Sequence, residues 1–71
     1  MNKDFWKTLY AWLETARLED ITAKRQQVQQ LLRQSNDAGF KADIRRVLRL
    51  LDEELLARAE LANVMRFAVA R

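Results

Sequence analysis

Ser35-Asn36-Asp37-Ala38-Gly39, near the middle of a 71-residue chain, is the stretch that decides the fold. Proline is absent and glycine occurs once, so this cluster of turn and capping residues is the strongest helix breaker in the sequence. On both sides the chain is rich in Leu, Ala, Arg, Gln and Glu, which lose little side-chain freedom in a helix. The pattern predicts an all-α, single-domain chain over residues 1–71, with a helix from about 3 to 34, a turn at about 35–39 and a helix from about 40 to 70. Two helices of similar length joined by a short loop fold back antiparallel, each spanning roughly 45 Å at 1.5 Å per residue.

Moving outward from the turn, Ile44, Leu48, Leu51, Leu55, Arg58, Ala62, Met65 and Val69 follow alternating steps of four and three, a heptad seam. The first half offers Trp6, Tyr10, Leu13, Arg17, Ile21, Lys24, Val28 and Leu31, with one extra residue between Arg17 and Ile21. The alternative architecture follows from that slip. A break near Leu18-Glu19-Asp20, with Asp20 capping a new helix at Ile21, gives three helices instead of two. In the two-helix register Leu31 meets Ile44, Val28 meets Leu48, Leu13 meets Ala62 and Trp6 meets Val69. Arg17 then faces Arg58, a partly exposed polar layer that needs Glu14 or Glu54 as a partner.

A chain this short builds a core that only marginally offsets the entropy of folding, so external support is expected. With no Cys and no His, disulfides are excluded and a structural metal lacks its best ligands. Oligomerisation or a partner remains, the simplest form being a homodimer in which two hairpins complete a four-helix bundle. Hydrophobic residues make up 49% and charged residues 32%, a balance that supports folding rather than disorder. Asp4, Lys7 and Glu14 interrupt the apolar N-terminal stretch, so neither a signal peptide nor a membrane span is read, and a cytoplasmic location is expected.

Charge and apolarity are segregated. From Lys24 to Arg49, seven basic residues stand against Asp37 and Asp43, a local charge of +5, whereas the rest of the chain carries −2. The ends combine Phe5, Trp6, Leu9 and Trp12 with Leu61, Val64, Phe67 and Ala68, more apolar surface than one intra-hairpin seam uses. Trp12 shares a helix face with Phe5 and Ala16, roughly a quarter turn or more from Trp6 and Tyr10, so this helix is apolar on two faces. These eight residues form the expected protein interface, since aromatic anchors dominate interface energetics. Arg33, Lys41, Arg45, Arg46 and Arg49, beside the glutamine-rich stretch from Gln26 to Gln34, are candidate nucleic-acid contacts. The bland alternative is a solvated helix face, and no helix-turn-helix spacing or RNA-recognition signature accompanies them.

Catalysis is disfavoured: there is no nucleophile-elbow or phosphate-loop glycine pattern, and Asp52-Glu53-Glu54 splay about 100° apart on a helix. No enzyme activity, cofactor or metal is expected. The polar turn between Leu31-Leu32 and Ile44, through Ser35-Asn36-Asp37, resembles that of plasmid copy-number hairpins that dimerise and bind RNA. It is also similar to that of the small co-chaperones of type III secretion needle subunits. The likeness lies in length and helix layout and carries no site residues across. The leading expectation is a non-enzymatic helical protein-protein interaction module, an adaptor, co-chaperone or inhibitor that also self-associates. The alternative is a small regulator binding RNA or DNA.

Overall fold

The first helix ends far short of the central turn. The computed structural model describes residues 1–69, with the side chains of residues 1–66, and contains three helices: α1 (Lys3–Thr15), α2 (Leu18–Gln34) and α3 (Ala38–Val69). The expected single helix over 3–34 is therefore two helices, and the three-helix alternative holds. The break lies at Ala16-Arg17, slightly before the expected Leu18-Asp20, where both residues adopt extended backbone.

No proline or glycine marks that break, and Asp20 is not the cap. Arg17 occupies the N-cap position of α2 without a side-chain hydrogen bond, while its carbonyl accepts from the Asp20 and Ile21 N–H groups at 3.1 and 3.0 Å. Glu19 and Asp20 instead sit in the first turn, where negative charge complements the helix dipole. What breaks the helix is the slip in apolar phase: a straight continuation carries the α1 stripe away from the core, whereas two extended residues let α1 fold back onto α2 and α3.

The other ends are conventional. Asn2 accepts from the Phe5 N–H at 2.9 Å and starts α1. At the central turn, Asp37 accepts from the Phe40 N–H at 3.0 Å and starts α3, and the Ser35 hydroxyl accepts from the Asp37 N–H at 3.3 Å. Helix α3 thus begins two residues earlier than the sequence predicts, with Gly39 inside its first turn.

Contacts at both ends of α1 give its direction. The Met1 amine meets Asp43 at 2.6 Å, and Arg58 donates to the Leu13 carbonyl at 3.0 Å, so α1 runs alongside α3 in the same sense. Trp6 accordingly lies beside Arg46, not opposite Val69, and Leu13 lies beside Arg58, not opposite Ala62. Arg58 also meets Glu54 at 3.0 Å. The expected polar layer thus has Glu54 as partner, while Arg17 stays out of it, exposed in the α1-α2 connection. A cation donating to the last carbonyls of α1 satisfies groups the helix leaves unpaired and opposes its dipole.

The core is small: Leu13, Ile21, Val28, Ile44, Val47 and Leu51 are buried, with Trp6, Leu9, Trp12, Ala16, Leu32, Leu48, Leu50 and Leu55 packed around them. On α1 the inward stripe is Trp6, Leu9, Leu13 and Ala16, so Tyr10, expected in the seam, is exposed. On α2 it is Ile21, Val28 and Leu32, leaving Lys24 and Leu31 exposed. On α3 the seam is Ile44, Leu48, Leu51, Leu55 and Arg58; Ala62 and Met65 are exposed. Helices α2 and α3 are the closest pair, and α1 lies on them through its large side chains. Because α3 has 32 residues and α2 only 17, α3 outruns its neighbours: residues 59–66 are all exposed. The molecule is 52 Å long, close to the roughly 48 Å of α3 alone.

Candidate interaction surface

Two apolar features remain unpartnered, and they lie apart. The first is a cleft beside α1. From the N-terminus and α1 it takes Met1, Phe5, Thr8, Leu9 and Trp12, from α2 Lys24, Gln27, Val28 and Leu31, and from α3 a floor of Ile44 and Val47, with a volume of about 400 Å³. The two tryptophans of α1, both half-buried, face different neighbours beside it. Trp6 reaches α3, where the Arg46 guanidinium lies 4.3 Å from its ring centroid and the Phe5 ring meets it edge-on at 5.2 Å. Trp12 turns toward α2, where Lys24 Nζ lies 5.8 Å from its ring. The space between α1 and α2 is lined mainly by apolar side chains. Lys24 is the charged side chain on the lining.

The second feature is the projecting arm of α3. Leu61 is 59% exposed, Val64 65% and Met65 59%, values unusual for neighbouring large apolar side chains.

The expected eight-residue interface is therefore divided. Phe5, Leu9 and Trp12 share the cleft, and Trp6 stands behind it against the core. Leu61 and Val64 sit on the arm, beyond the far end of α1, so the expected single apolar end is replaced by two separate patches. Phe67 and Ala68 lie outside the described side chains. Thr8, Gln27 and Val47 complete the cleft without having been singled out by sequence pattern, and Val28, Leu31 and Ile44, expected only as seam residues, also line it. Leu31, read as a seam residue meeting Ile44, is instead 47% exposed on the wall of the cleft.

The basic set is also divided. Arg46 is stacked on Trp6 and Lys41 is half-buried, whereas Arg33, Arg45 and Arg49 are exposed and form no ion pair among the described residues. Arg45 and Arg49 border a shallow depression shared with Leu48, Asp52, Glu53 and Leu56. Asp52 is also held by Arg25. Among the described residues, no group of three His, Cys, Asp or Glu side chains could hold a metal ion, and no helix is long and apolar enough to cross a membrane.

The fold defines a class of small all-α proteins with two short helices laid on one long helix. Comparison with known proteins finds no family model that matches the chain, and no curated protein or solved structure that resembles it significantly.

Proposed function

We propose that this chain is a non-enzymatic protein-protein interaction module, an adaptor, co-chaperone or inhibitor that receives an apolar helix of another polypeptide in the cleft between α1 and α2. The observation that carries the reading is the cleft: about 400 Å³ of space walled by Phe5, Leu9, Trp12, Val28 and Leu31, open to solvent and edged by Lys24. Amphipathic helices recognise such grooves through apolar side chains one turn apart, and rigid aromatic walls supply contact area at low entropic cost. A chain with no His, no Cys and no glycine-rich loop offers little for catalysis, whereas it offers much for binding.

Co-purification from native cells, with the mass of the complex measured by light scattering, tests the reading. The chain is expected to emerge bound to another polypeptide. Leu31→Glu, at a position already 47% exposed, is expected to keep the helical circular dichroism and lose the companion. A chain that emerges as a monomer, or a Leu31→Glu variant that binds unchanged, rejects the cleft as the binding site.

A second reading, a nucleic-acid-binding regulator, draws support from Arg45 and Arg49, which are exposed, one turn apart and free of ion pairs among the described residues. It ranks lower because Asp52 and Glu53 stand beside them and Arg46 is committed to Trp6. On this reading binding to RNA or DNA weakens steeply with salt and falls on Arg45→Glu; salt-insensitive binding, or none, removes it.

A further inference from the structure

We propose that the helix received by the cleft is the projecting arm of α3 from a second copy of this chain, an inference that rests on the cleft reading above. The same polypeptide carries an unfilled apolar acceptor and an unpartnered apolar helix, and it cannot join the two within one molecule. The floor of the cleft is Ile44 and Val47, and Leu61 lies further along the same unbroken helix, roughly 21 Å beyond Val47. A straight helix does not bend back over that distance, so the arm meets only the cleft of another molecule.

Charge and geometry favour this occupant. At about 100° per residue, Ala57, Leu61 and Val64 fall within roughly 60° of one another on the arm. Glu60 borders that stripe next to Val64, whereas Arg66 lies on roughly the opposite side of the helix. Arg58 is occupied with Glu54 and the Leu13 carbonyl. The face that docks is thus apolar with one anionic border, Glu60, which forms no ion pair among the described residues, and the cleft is apolar with cationic Lys24 at its edge. Leu61 and Val64 enter between Phe5, Trp12 and Leu31, and Glu60 meets Lys24. An arm-to-arm pairing instead leaves the cleft empty and gives Lys24 no anionic partner.

The inference predicts reciprocal or head-to-tail association, and sedimentation equilibrium of the purified chain across micromolar concentrations reads it directly. The natural chain is expected at a multiple of 8.4 kDa. An arm variant, L61D with V64D, and a cleft variant, Leu31→Asp, are each expected to keep their helicity and to sediment as monomers. Mixed, they are expected to associate again, because one supplies an intact cleft and the other an intact arm. Lys24→Glu is expected to weaken association by about two- to fivefold, with Glu60→Lys in the same chain restoring it. A monomeric natural chain, an arm variant that still self-associates, or a mixture that stays monomeric overturns the proposal. A chain that is monomeric alone yet still binds a different polypeptide through Leu31 overturns the proposal and leaves the interaction-module reading standing.

Discussion

Leu51→Ala is expected to leave the chain largely unfolded, or at best marginally folded, at room temperature. Leu51 and Ile21 have no exposed surface, and with Ile44 they are the largest fully buried side chains. Truncating a buried leucine costs about 2–5 kcal/mol, the removed methyl groups and the cavity left behind both contributing. A core in a chain of this size supplies only about 3–5 kcal/mol of net stability. The loss therefore rivals the whole reserve, where a larger domain would absorb it. Leu56→Ala, on the same helix at a position 60% exposed, is the control and should change stability by no more than about 0.5 kcal/mol. Thermal denaturation followed by circular dichroism compares the two. Because association with a second copy raises apparent stability by mass action, both variants must be compared at one concentration. Equal melting temperatures would mean that Leu51 does not sit between α2 and α3.

The same small core explains which parts of the molecule could be read from the residues. The central turn was legible because Ser35, Asn36, Asp37 and Gly39 act locally, and Asp37 caps α3 through its own side chain. The α3 seam was legible as far as Arg58 because its spacing is regular and neighbours cover that half. Beyond Arg58 the spacing continues through Ala62 and Met65, but both are exposed among the described residues, so periodicity overstates the core there. The α1-α2 break was legible only as a slip in phase. Ala16 and Arg17 carry no intrinsic signal for extended backbone, and the break is paid for by tertiary burial of Trp6, Leu9 and Leu13, which a local reading cannot weigh. Phe5 and Trp12 lie off the inward stripe of Trp6, Leu9, Leu13 and Ala16 and line the cleft. Their grouping with Leu61 and Val64 failed because it assumed an unbroken first helix, which would have carried Trp6 to the far end of α3. Reversing α1 moves its aromatics beside the basic turn zone, which is why Arg46, expected to be available for phosphate, is stacked on an indole instead.

Trp6→Ala is expected to release α1 while α2 and α3 stay paired. Trp6 joins α1 to α3, meeting Phe5 edge-on and lying under the Arg46 guanidinium. Removing a buried tryptophan costs about 3–5 kcal/mol, and a half-buried one less; the lost cation-π contact adds about 0.5–1 kcal/mol. The other groups that hold α1 are Leu9, Trp12, Leu13 and Ala16, which pack on the core, the Met1 amine, which meets Asp43, and the Leu13 carbonyl, which accepts from Arg58. The α2-α3 pair, in contrast, keeps Ile21, Val28, Ile44, Val47 and Leu51. The expected result is therefore local opening, a partial loss of stability confined to one element. The sequence has two tryptophans, so the variant leaves Trp12 as the sole indole and makes it the reporter. Its emission should shift to longer wavelength as the ring leaves the groove, and amide exchange should accelerate in residues 3–15 while residues 44–51 remain protected. Tyr10→Ala, on the exposed side of the same helix, should do neither. Because α1 forms one wall of the cleft, the Trp6 variant should also fail to bind whatever the cleft receives, although Trp6 itself does not line it. Unchanged Trp12 emission would show that α1 is held by other contacts; lost protection across 44–51 would show that α1 is integral to one cooperative core and not a separable wall.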